Sequence, residues 1–142
     1  MVLTHRDVLN ILPQRPPILL VDSSPECIPG KRATAELFVN PKWLVFNGHF
    51  PGAPILPGIC IQESLAQTAD LFLLTPPGNN HKIPYFFSVN RMRFLRSVQP
   101  GDHLTLYAEL TGTPQQELYE CNVRATSRGL KIASGSITLA LR

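Results

Sequence analysis

The sequence has no long apolar run, and this limits the class of protein it can encode. Its 142 residues are 44% hydrophobic, yet no stretch approaches the ~20 consecutive apolar residues of a transmembrane helix. Residues 1–17 carry charges and prolines where a signal peptide needs an unbroken apolar segment. We therefore expect one domain spanning residues 1–142, with no membrane segment, located in the cytoplasm.

Cysteine and histidine patterns typical of metal sites are also missing. The cysteines Cys27, Cys60 and Cys121 are far apart and form no CxxC pair, and the four histidines form no HxxxH or HxH pair. We interpret the cysteines as free, buried thiols, and we favour this over a disulfide or metal role. The sequence predicts no metal site.

Charge is scarce and nearly balanced. The chain has 13 Lys and Arg against 10 Asp and Glu, a net charge of +3, and no basic run or zinc-finger pattern, so we expect no nucleic-acid partner. One basic cluster, Arg91, Arg93 and Arg96, suits contact with an acidic protein surface. A solvated strand face is the open alternative.

Prolines and glycines divide the chain into short elements. Thr4 begins a TxxD helix-start pattern, and Pro13 ends the short helix that follows. Residues Ile59 to Leu74 are nearly all apolar or small and predict one long buried helix. Six segments predict strands: Ile18 to Val21, Arg32 to Val39, Tyr85 to Phe94, His103 to Leu110, Leu118 to Thr126 and Leu130 to Leu141. One long helix followed by antiparallel strands indicates an α+β fold with a curved sheet wrapped around that helix.

The segment with the strongest functional signal is residues 46–67, FNGHFPGAPILPGICIQESLAQ. Its prolines fix φ and its glycines, including Gly48 and Gly52, permit close backbone approach, so the loop should be stiff and hold His49 in one position. A stiff loop suits a catalytic base.

The helix after this loop carries one acid near its start. Glu63 has mostly apolar neighbours, so we expect its carboxylate to be desolvated and its pKa raised, as a proton donor requires. Gly58 at the helix start should present a free backbone N–H, backed by the positive end of the helix dipole, to an oxyanion.

Each feature alone is weak, because loop histidines are commonly structural and buried glutamates commonly pair with cations. Together, GHFPGAPILPG and IQESLAQ, with LPQRPPILLVD upstream and YFFSVNRMRFLRSVQPGD downstream, resemble the FabZ-type 3-hydroxyacyl-[acyl carrier protein] dehydratases of the hotdog superfamily. The resemblance covers nearly the whole chain, with His49 and Glu63 spaced as in that family.

This resemblance implies a function and a set of roles. The enzyme would remove water from a 3-hydroxyacyl thioester on the phosphopantetheine of acyl carrier protein, giving a trans-2-enoyl thioester without a cofactor. His49 would be the base and Glu63 the acid. The remaining site residues would be Gly58 as the oxyanion donor, Tyr85 gating the acyl tunnel, Gln67 behind Glu63 or in a structural hydrogen bond, and Phe50 beside His49.

The resemblance also implies a homodimer and leaves alternative pathways and functions open. The histidine and glutamate of one site would come from different subunits of a homodimer, with a trimer of dimers as a further assembly in the family. Polyketide or polyene synthesis is an alternative to fatty acid synthesis. A hotdog thioesterase, an isomerase-type dehydratase and a non-catalytic carrier-binding subunit are the other readings; the HFPG loop and the presence of His49 and Glu63 disfavour them.

Asp70, Gln14, Pro16 and Asn90 depart from the family pattern, which commonly has glycine, histidine, an aromatic residue and an acid, respectively, at these positions. Asp70 lies seven residues beyond Glu63, two turns along the same helix face. We consider two possibilities: Asp70 projects toward the acyl tunnel and favours short or polar acyl chains, or it meets solvent or an arginine.

Overall fold

Two helices and six strands make up the computed structural model, which describes all of residues 1–142. The helices are α1 (His5–Ile11) and α2 (Gly58–Leu74). The strands are β1 (Ser23–Ile28), β2 (Arg32–Phe38), β3 (Pro84–Phe94), β4 (His103–Leu110), β5 (Leu118–Ser127) and β6 (Leu130–Leu141). The predicted α+β class is confirmed.

The short helix α1 begins as the sequence predicts. The Thr4 side chain accepts a hydrogen bond from the Asp7 backbone N–H, and the Asp7 carboxylate accepts one from the Thr4 backbone in return. This capping box satisfies two backbone donors that a helix start otherwise leaves free. The helix ends at Ile11, with Leu12 extended before Pro13.

All six strands form one antiparallel sheet in the order β1-β2-β4-β5-β6-β3. Alternate side chains of the central strands are buried on one face, as period-two alternation predicts: Ala33, Ala35, Leu37, Leu104, Leu106, Ala108, Cys121, Val123 and Ala125. Cys121 and Cys27 lie in this core, as expected of buried thiols, whereas Cys60 is only half-buried.

Helix α2 lies against this apolar face and contacts the sheet mainly through β2 and β4. From Ser64 onward every residue of α2 is buried, including Leu65, Phe72 and Leu74. A helix this apolar on all sides is stable only when protein surrounds it, and the sheet and the N-terminal segment surround it here. Neither helix is long and apolar enough to cross a bilayer.

The two edges of the sheet differ. At the β1 edge, Leu3 exchanges two backbone hydrogen bonds with Ser24, and the Met1 backbone carbonyl accepts another from Cys27. At the opposite edge, β3 pairs with β6 alone, and nearly all of its residues are exposed. The backbone of β3 also bulges near Arg91, where its Met92 Cα lies 2.7 Å from the position a Cβ on Gly135 would take. Only glycine fits at position 135 without a shift of β3.

The predicted strand at Ile18 to Val21 is wrong. The segment is a turn followed by extended chain, and the first strand of the sheet begins at Ser23 instead. Its backbone has no partner strand, because the N–H groups of Leu20 and Val21 donate to the Gln67 side chain of α2. A turn at Pro29 and Gly30 connects β1 and β2.

Candidate active site

The loop before α2 holds His49 through two hydrogen bonds to one residue. Ile55 donates its backbone N–H to the His49 carbonyl at 3.0 Å, and His49 Nδ1 lies 3.0 Å from the Ile55 carbonyl oxygen. A carbonyl can only accept, so Nδ1 carries the hydrogen and, in the neutral ring, Nε2 is the free proton acceptor. This is the tautomer that a general base acting through Nε2 requires.

The loop is further tied to the rest of the chain. Phe50 and Ala53 exchange backbone hydrogen bonds of 3.2 and 2.9 Å, and Leu56 donates to the Val98 carbonyl at 2.7 Å. Gly52 has a φ of +76°, which glycine adopts readily. The expected need for glycine at position 48 is not supported. Gly48 has a negative φ, and a Cβ there would have no neighbour within 4 Å.

His49 and the start of α2 line the same cavity of about 350 Å³. The other lining residues are Ile55, Leu56, Gly58, Ile61, Phe94, Leu95, Arg96, Ser97 and Val98. Gly58 is the first residue of α2, and its backbone N–H donates to no group in the chain. A free N–H with the helix dipole behind it can stabilise a negatively charged oxygen in this cavity.

Gly58 also approaches an aromatic ring closely. A Cβ at this position would lie 3.2 to 3.4 Å from three atoms of the Phe94 ring. The absence of a side chain therefore lets Phe94 cover the helix start and form an apolar wall of the cavity. Sequence reasoning did not assign Phe94 to the site, although it lies in the downstream segment that carries the family resemblance.

Glu63 lies on a different side of α2 and does not line the His49 cavity. Glu63 stands five positions after Gly58, which is a rotation of about 140° around the helix axis. Burial raises the pKa of the Glu63 carboxyl, and the hydrogen bond from Gln67 partly opposes this rise. The raised pKa agrees with the expectation for a proton donor.

Gln67 connects Glu63 to the N-terminal segment. Its Nε2 donates to Glu63 Oε1 at 3.0 Å and to the Ile18 carbonyl at 2.8 Å. Its Oε1 accepts from the backbone of Leu20 at 2.9 Å and Val21 at 3.3 Å. Both contacts considered for Gln67 are present, since its amide donates to the Glu63 carboxylate and also hydrogen-bonds the backbone of the N-terminal segment.

Asp70 is fully buried on the same side of α2 as Glu63, at 1% exposure. Its Oδ2 accepts a hydrogen bond of 3.2 Å from Gln14 Nε2. It therefore meets neither solvent nor an arginine, and it contacts another of the positions that depart from the family pattern. Burial raises the pKa of Asp70 to about 8.

The remaining predicted residues lie near the protein surface. Phe50 is exposed and stacks on the His49 ring, with 4.0 Å between ring centroids. Tyr85 is exposed on β3 and does not line the His49 cavity. Arg91 and Arg93 are also exposed on β3, whereas Arg96 lies at the His49 cavity. None of these arginines forms a salt bridge.

A second cavity, of about 630 Å³, lies on the side of α2 that carries Cys60. Its apolar walls come from the segment 16–21 and from residues 43–45, with Lys42, His5 and Asp22 at its polar parts. Sequence reasoning did not find it, because its walls come from segments that are distant in sequence and share no motif.

The family model that matches this chain and the two relatives below are all dehydratases. A family model described as ApeI-like, ApeI dehydratase, matches residues 26–136. The 3-hydroxyacyl-[acyl-carrier-protein] dehydratase FabZ of Enterococcus faecalis is 46% identical over 110 residues, 78% of each chain. The FabZ of Ruminiclostridium cellulolyticum is 37% identical over 140 residues, 99% of this chain and 98% of that protein.

Solved structures with low sequence identity share the fold. The ApeI:P dehydratase heterocomplex of Xenorhabdus doucetiae aligns with a TM-score of 0.78 at 13% identity, over 95% of this chain and 90% of that chain. A hypothetical thioesterase of Streptococcus pneumoniae, solved with coenzyme A, aligns with a TM-score of 0.61 at 12% identity, over 81% of each chain. The predicted hotdog fold is confirmed. By sequence, fold and motif, this chain belongs to the FabZ-type 3-hydroxyacyl-[acyl-carrier-protein] dehydratase family.

Proposed function

We propose that this enzyme dehydrates 3-hydroxyacyl thioesters carried on the phosphopantetheine arm of acyl carrier protein, with His49 and Glu63 as its base and acid. The single observation that carries the proposal is the hydrogen bond from His49 Nδ1–H to the Ile55 carbonyl. It leaves Nε2 as the proton acceptor in a cavity whose wall contains the free N–H of Gly58.

The proposed reaction balances with these three groups alone. The thioester carbonyl accepts a hydrogen bond from the Gly58 N–H, which stabilises the charge that develops on its oxygen. His49 Nε2 removes a proton from C2, and the electron pair forms the C2–C3 double bond as the C3–O bond breaks. Glu63 gives its proton to the departing hydroxyl, which leaves as water. Proton transfer from His49 back to Glu63, directly or through water, restores the enzyme.

The proposal requires two copies of the chain. Glu63 does not line the cavity that contains His49 and Gly58 within one chain, so a complete site needs an acid from elsewhere. The free edge β3 offers an interface, because its exposed residues include Tyr85 at 54%, Phe87 at 60% and Phe94 at 47%. An exposed, aromatic strand whose outer edge has no partner is a natural pairing surface for a second copy. We propose a homodimer through β3, with no commitment to a larger assembly.

We also propose how the enzyme contacts its carrier protein and where the reaction takes place. Arg96 lies at the His49 cavity without an acidic partner, which supports a role for it in binding the phosphate of the arm or an acidic carrier surface. Arg91 and Arg93 extend the positive surface along β3. We assign the reaction to the cytoplasm, where free thiols such as those of this chain stay reduced, and to fatty acid or polyketide-type synthesis.

The test is to incubate the protein with short and long 3-hydroxyacyl substrates, on carrier protein and on coenzyme A, and to follow product mass. Loss of one water from carrier-linked substrates, with the thioester intact, is the expected result. Release of a free acid would instead identify a thioesterase. Binding of the carrier protein without any change in substrate mass would identify a non-catalytic subunit.

A further inference from the structure

Asp70 differs from the other buried polar residues of the chain. Four of the five buried polar or charged residues make side-chain hydrogen bonds that leave none of their buried atoms unpartnered: Ser24, Ser64, Gln67 and Thr68. In the fifth, Asp70, Oδ1 has no partner, and the only other unpartnered buried side-chain atom is Gln14 Oε1. Buried polar atoms are nearly always hydrogen-bonded, so these two need an explanation.

A single proton accounts for both atoms. Gln14 Nε2 donates to Asp70 Oδ2 at 3.2 Å, so the two unpartnered oxygens belong to groups that are already in contact. Both oxygens can only accept while Asp70 is ionised, and two acceptors cannot bond to each other. A proton on Oδ1 makes the carboxyl a donor to Gln14 Oε1, and two hydrogen bonds then join acid and amide. The contact therefore favours a neutral Asp70.

The surroundings of Asp70 also favour a neutral carboxyl. No Lys, Arg or His side chain is buried in the chain, and no cation is among the charges that act on Asp70. The ionisable groups coupled to it are Glu63 on α2 and Cys121 on β5, and a negative charge on either disfavours one on Asp70. Arg15 is exposed and donates to two backbone carbonyls of its own segment. Burial raises the pKa of Asp70 to about 8, so the neutral form predominates at neutral pH.

The contact is one of two places where side chains of α2 hold the segment 12–21. At one place Asp70 pairs with Gln14. At the other, one turn earlier on the helix, the Gln67 amide hydrogen-bonds the backbone of residues 18, 20 and 21. The segment is therefore attached to α2 at two heights along the helix axis.

A short turn couples the two attachments. The Arg15 carbonyl accepts backbone hydrogen bonds from Ile18 at 3.1 Å and from the following residue at 3.2 Å, and two prolines restrict the backbone within the turn. The Ile18 carbonyl accepts from Gln67 Nε2 at 2.8 Å, and the same nitrogen donates to Glu63 Oε1 at 3.0 Å. A shift of Gln14 therefore moves the Ile18 carbonyl, and this changes the hydrogen bond that Gln67 gives to Glu63.

We propose that Asp70 and Gln14 are positioning residues for Glu63, which hold the segment 12–21 against α2 through a paired acid–amide contact. The role rests on the proposed function, because it concerns the acid of the same active site. It makes that acid depend on a contact about 10.5 Å further along the helix. Ionisation of Asp70 replaces one hydrogen bond of the pair with a contact between two acceptors, so the attachment weakens when the proton is lost.

The first experiment compares the wild type with Asp70→Asn in urea denaturation at several pH values. An asparagine amide can donate to Gln14 Oε1 and accept from Gln14 Nε2, so this variant keeps the pair and cannot ionise. Asp70 loses its proton near 3.8 when unfolded and near a pKa of about 8 when folded, so the folded wild type binds more protons between these values. Its free energy of unfolding therefore falls as pH rises through this interval.

The urea midpoint of the wild type should accordingly fall, relative to that of Asp70→Asn, from about pH 5 to about pH 8. A difference that stays constant, or that changes in the opposite direction, would show that the folded protein holds Asp70 ionised. Either result would overturn the acid–amide pair.

The second experiment measures kcat and KM for water loss at about pH 6, where the neutral form of Asp70 predominates. Gln14→Leu breaks the pair at a half-buried position, so it keeps the test valid if Asp70→Leu does not fold. Its kcat should fall by about threefold with KM unchanged, because Glu63 is displaced while the substrate contacts remain. Asp70→Leu should behave in the same way, and Asp70→Asn should retain the wild-type kcat.

Thr68→Val is the matched control, because Thr68 is also buried on α2 but its hydroxyl donates to the Ser64 carbonyl of the same helix. It should lower the urea midpoint and leave kcat unchanged. An unchanged kcat in folded Gln14→Leu, or a kcat lowered equally by Asp70→Asn and Asp70→Leu, would overturn the positioning role alone. Absence of water loss from the wild type would overturn the proposed function and the positioning role with it, and the urea comparison would still decide the acid–amide pair.

Discussion

Two sides of helix α2 contribute differently to the proposed chemistry. At its start, the free N–H of Gly58 and the ring of His49 share a cavity with apolar walls. About 140° around the helix, Glu63 accepts a hydrogen bond from Gln67, which also hydrogen-bonds the backbone of the segment 18–21. In the proposed mechanism, one chain therefore contributes a base without an acid at the first position and an acid without a base at the second.

The largest effect is expected at the base. His49→Ala removes the proton acceptor and should lower kcat by roughly a thousandfold. The fold should survive, because the substitution removes only one side-chain hydrogen bond, to Ile55, and the stacking on the exposed Phe50 ring, both at a half-buried position. Water loss measured by mass spectrometry, with the unfolding midpoint as a control, checks both statements. Near-normal turnover would remove His49 from the mechanism.

The next effect is expected at the acid. Glu63→Gln keeps an amide oxygen that can accept from Gln67 but removes the proton, and kcat should fall by about a hundredfold. In the wild type, activity should fall as pH rises through the raised pKa of Glu63, because the acid must be protonated to act. That alkaline decline should be absent from the residual activity of Glu63→Gln, while Gln62→Ala, a neighbouring substitution, should keep it.

A substitution at Gln67 separates its contribution to folding stability from its contribution to catalysis through Glu63. Gln67→Leu leaves the buried backbone N–H groups of Leu20 and Val21 without a partner and removes the hydrogen bond to the Ile18 carbonyl, so it should lower the free energy of unfolding by about 3 kcal/mol. It should also lower kcat by about tenfold, because Glu63 loses its orienting donor. Urea denaturation and kinetics check both.

Thr68→Val is the matched control for Gln67→Leu, since it removes a single hydrogen bond on the same helix. It should lower the free energy of unfolding by about 1 kcal/mol. Equal loss of stability in both variants would show that the contacts of Gln67 with the N-terminal segment contribute little.

The smallest effect is expected at the helix start. Gly58→Ala keeps the backbone N–H but adds a Cβ 3.2 to 3.4 Å from the Phe94 ring, so the ring must shift. We expect kcat/KM to fall by up to about tenfold, as a misplaced wall disturbs the substrate position. Adding Phe94→Leu to this variant should restore part of the loss. A double variant no better than Gly58→Ala would indicate that the substitution acts on the N–H itself.

The sequence predicts the elements whose ends carry strong local signals. Helix α2 is predicted within one residue, and β4 and β6 at both ends, because prolines and glycines bound them. The prediction of a strand at Ile18 to Val21 is wrong because an apolar run does not reveal what its backbone hydrogen-bonds to. The partner can be a neighbouring strand or a side chain. The partner turned out to be Gln67, 46 residues away from Val21.

The site is predictable to the extent that it lies in one contiguous motif. His49, Gly58 and Glu63 stand within fifteen consecutive residues, 49–63, and the loop and helix position them locally. The contact between Gln14 and Asp70 spans 56 residues and carries no local signal, because each residue alone is a common polar residue. The free edge at β3 is likewise a property of strand order, which local periodicity does not determine.

The central claim, that each site takes its histidine and its glutamate from different subunits, is tested most directly by mixing two inactive variants. His49→Ala and Glu63→Gln are each expected to be nearly inactive alone. If they exchange subunits at random, half of the dimers are mixed, and each mixed dimer has one intact site, so activity should return to about a quarter of the wild-type value. No recovery, with subunit exchange verified by tagged chains and mass, would contradict the account.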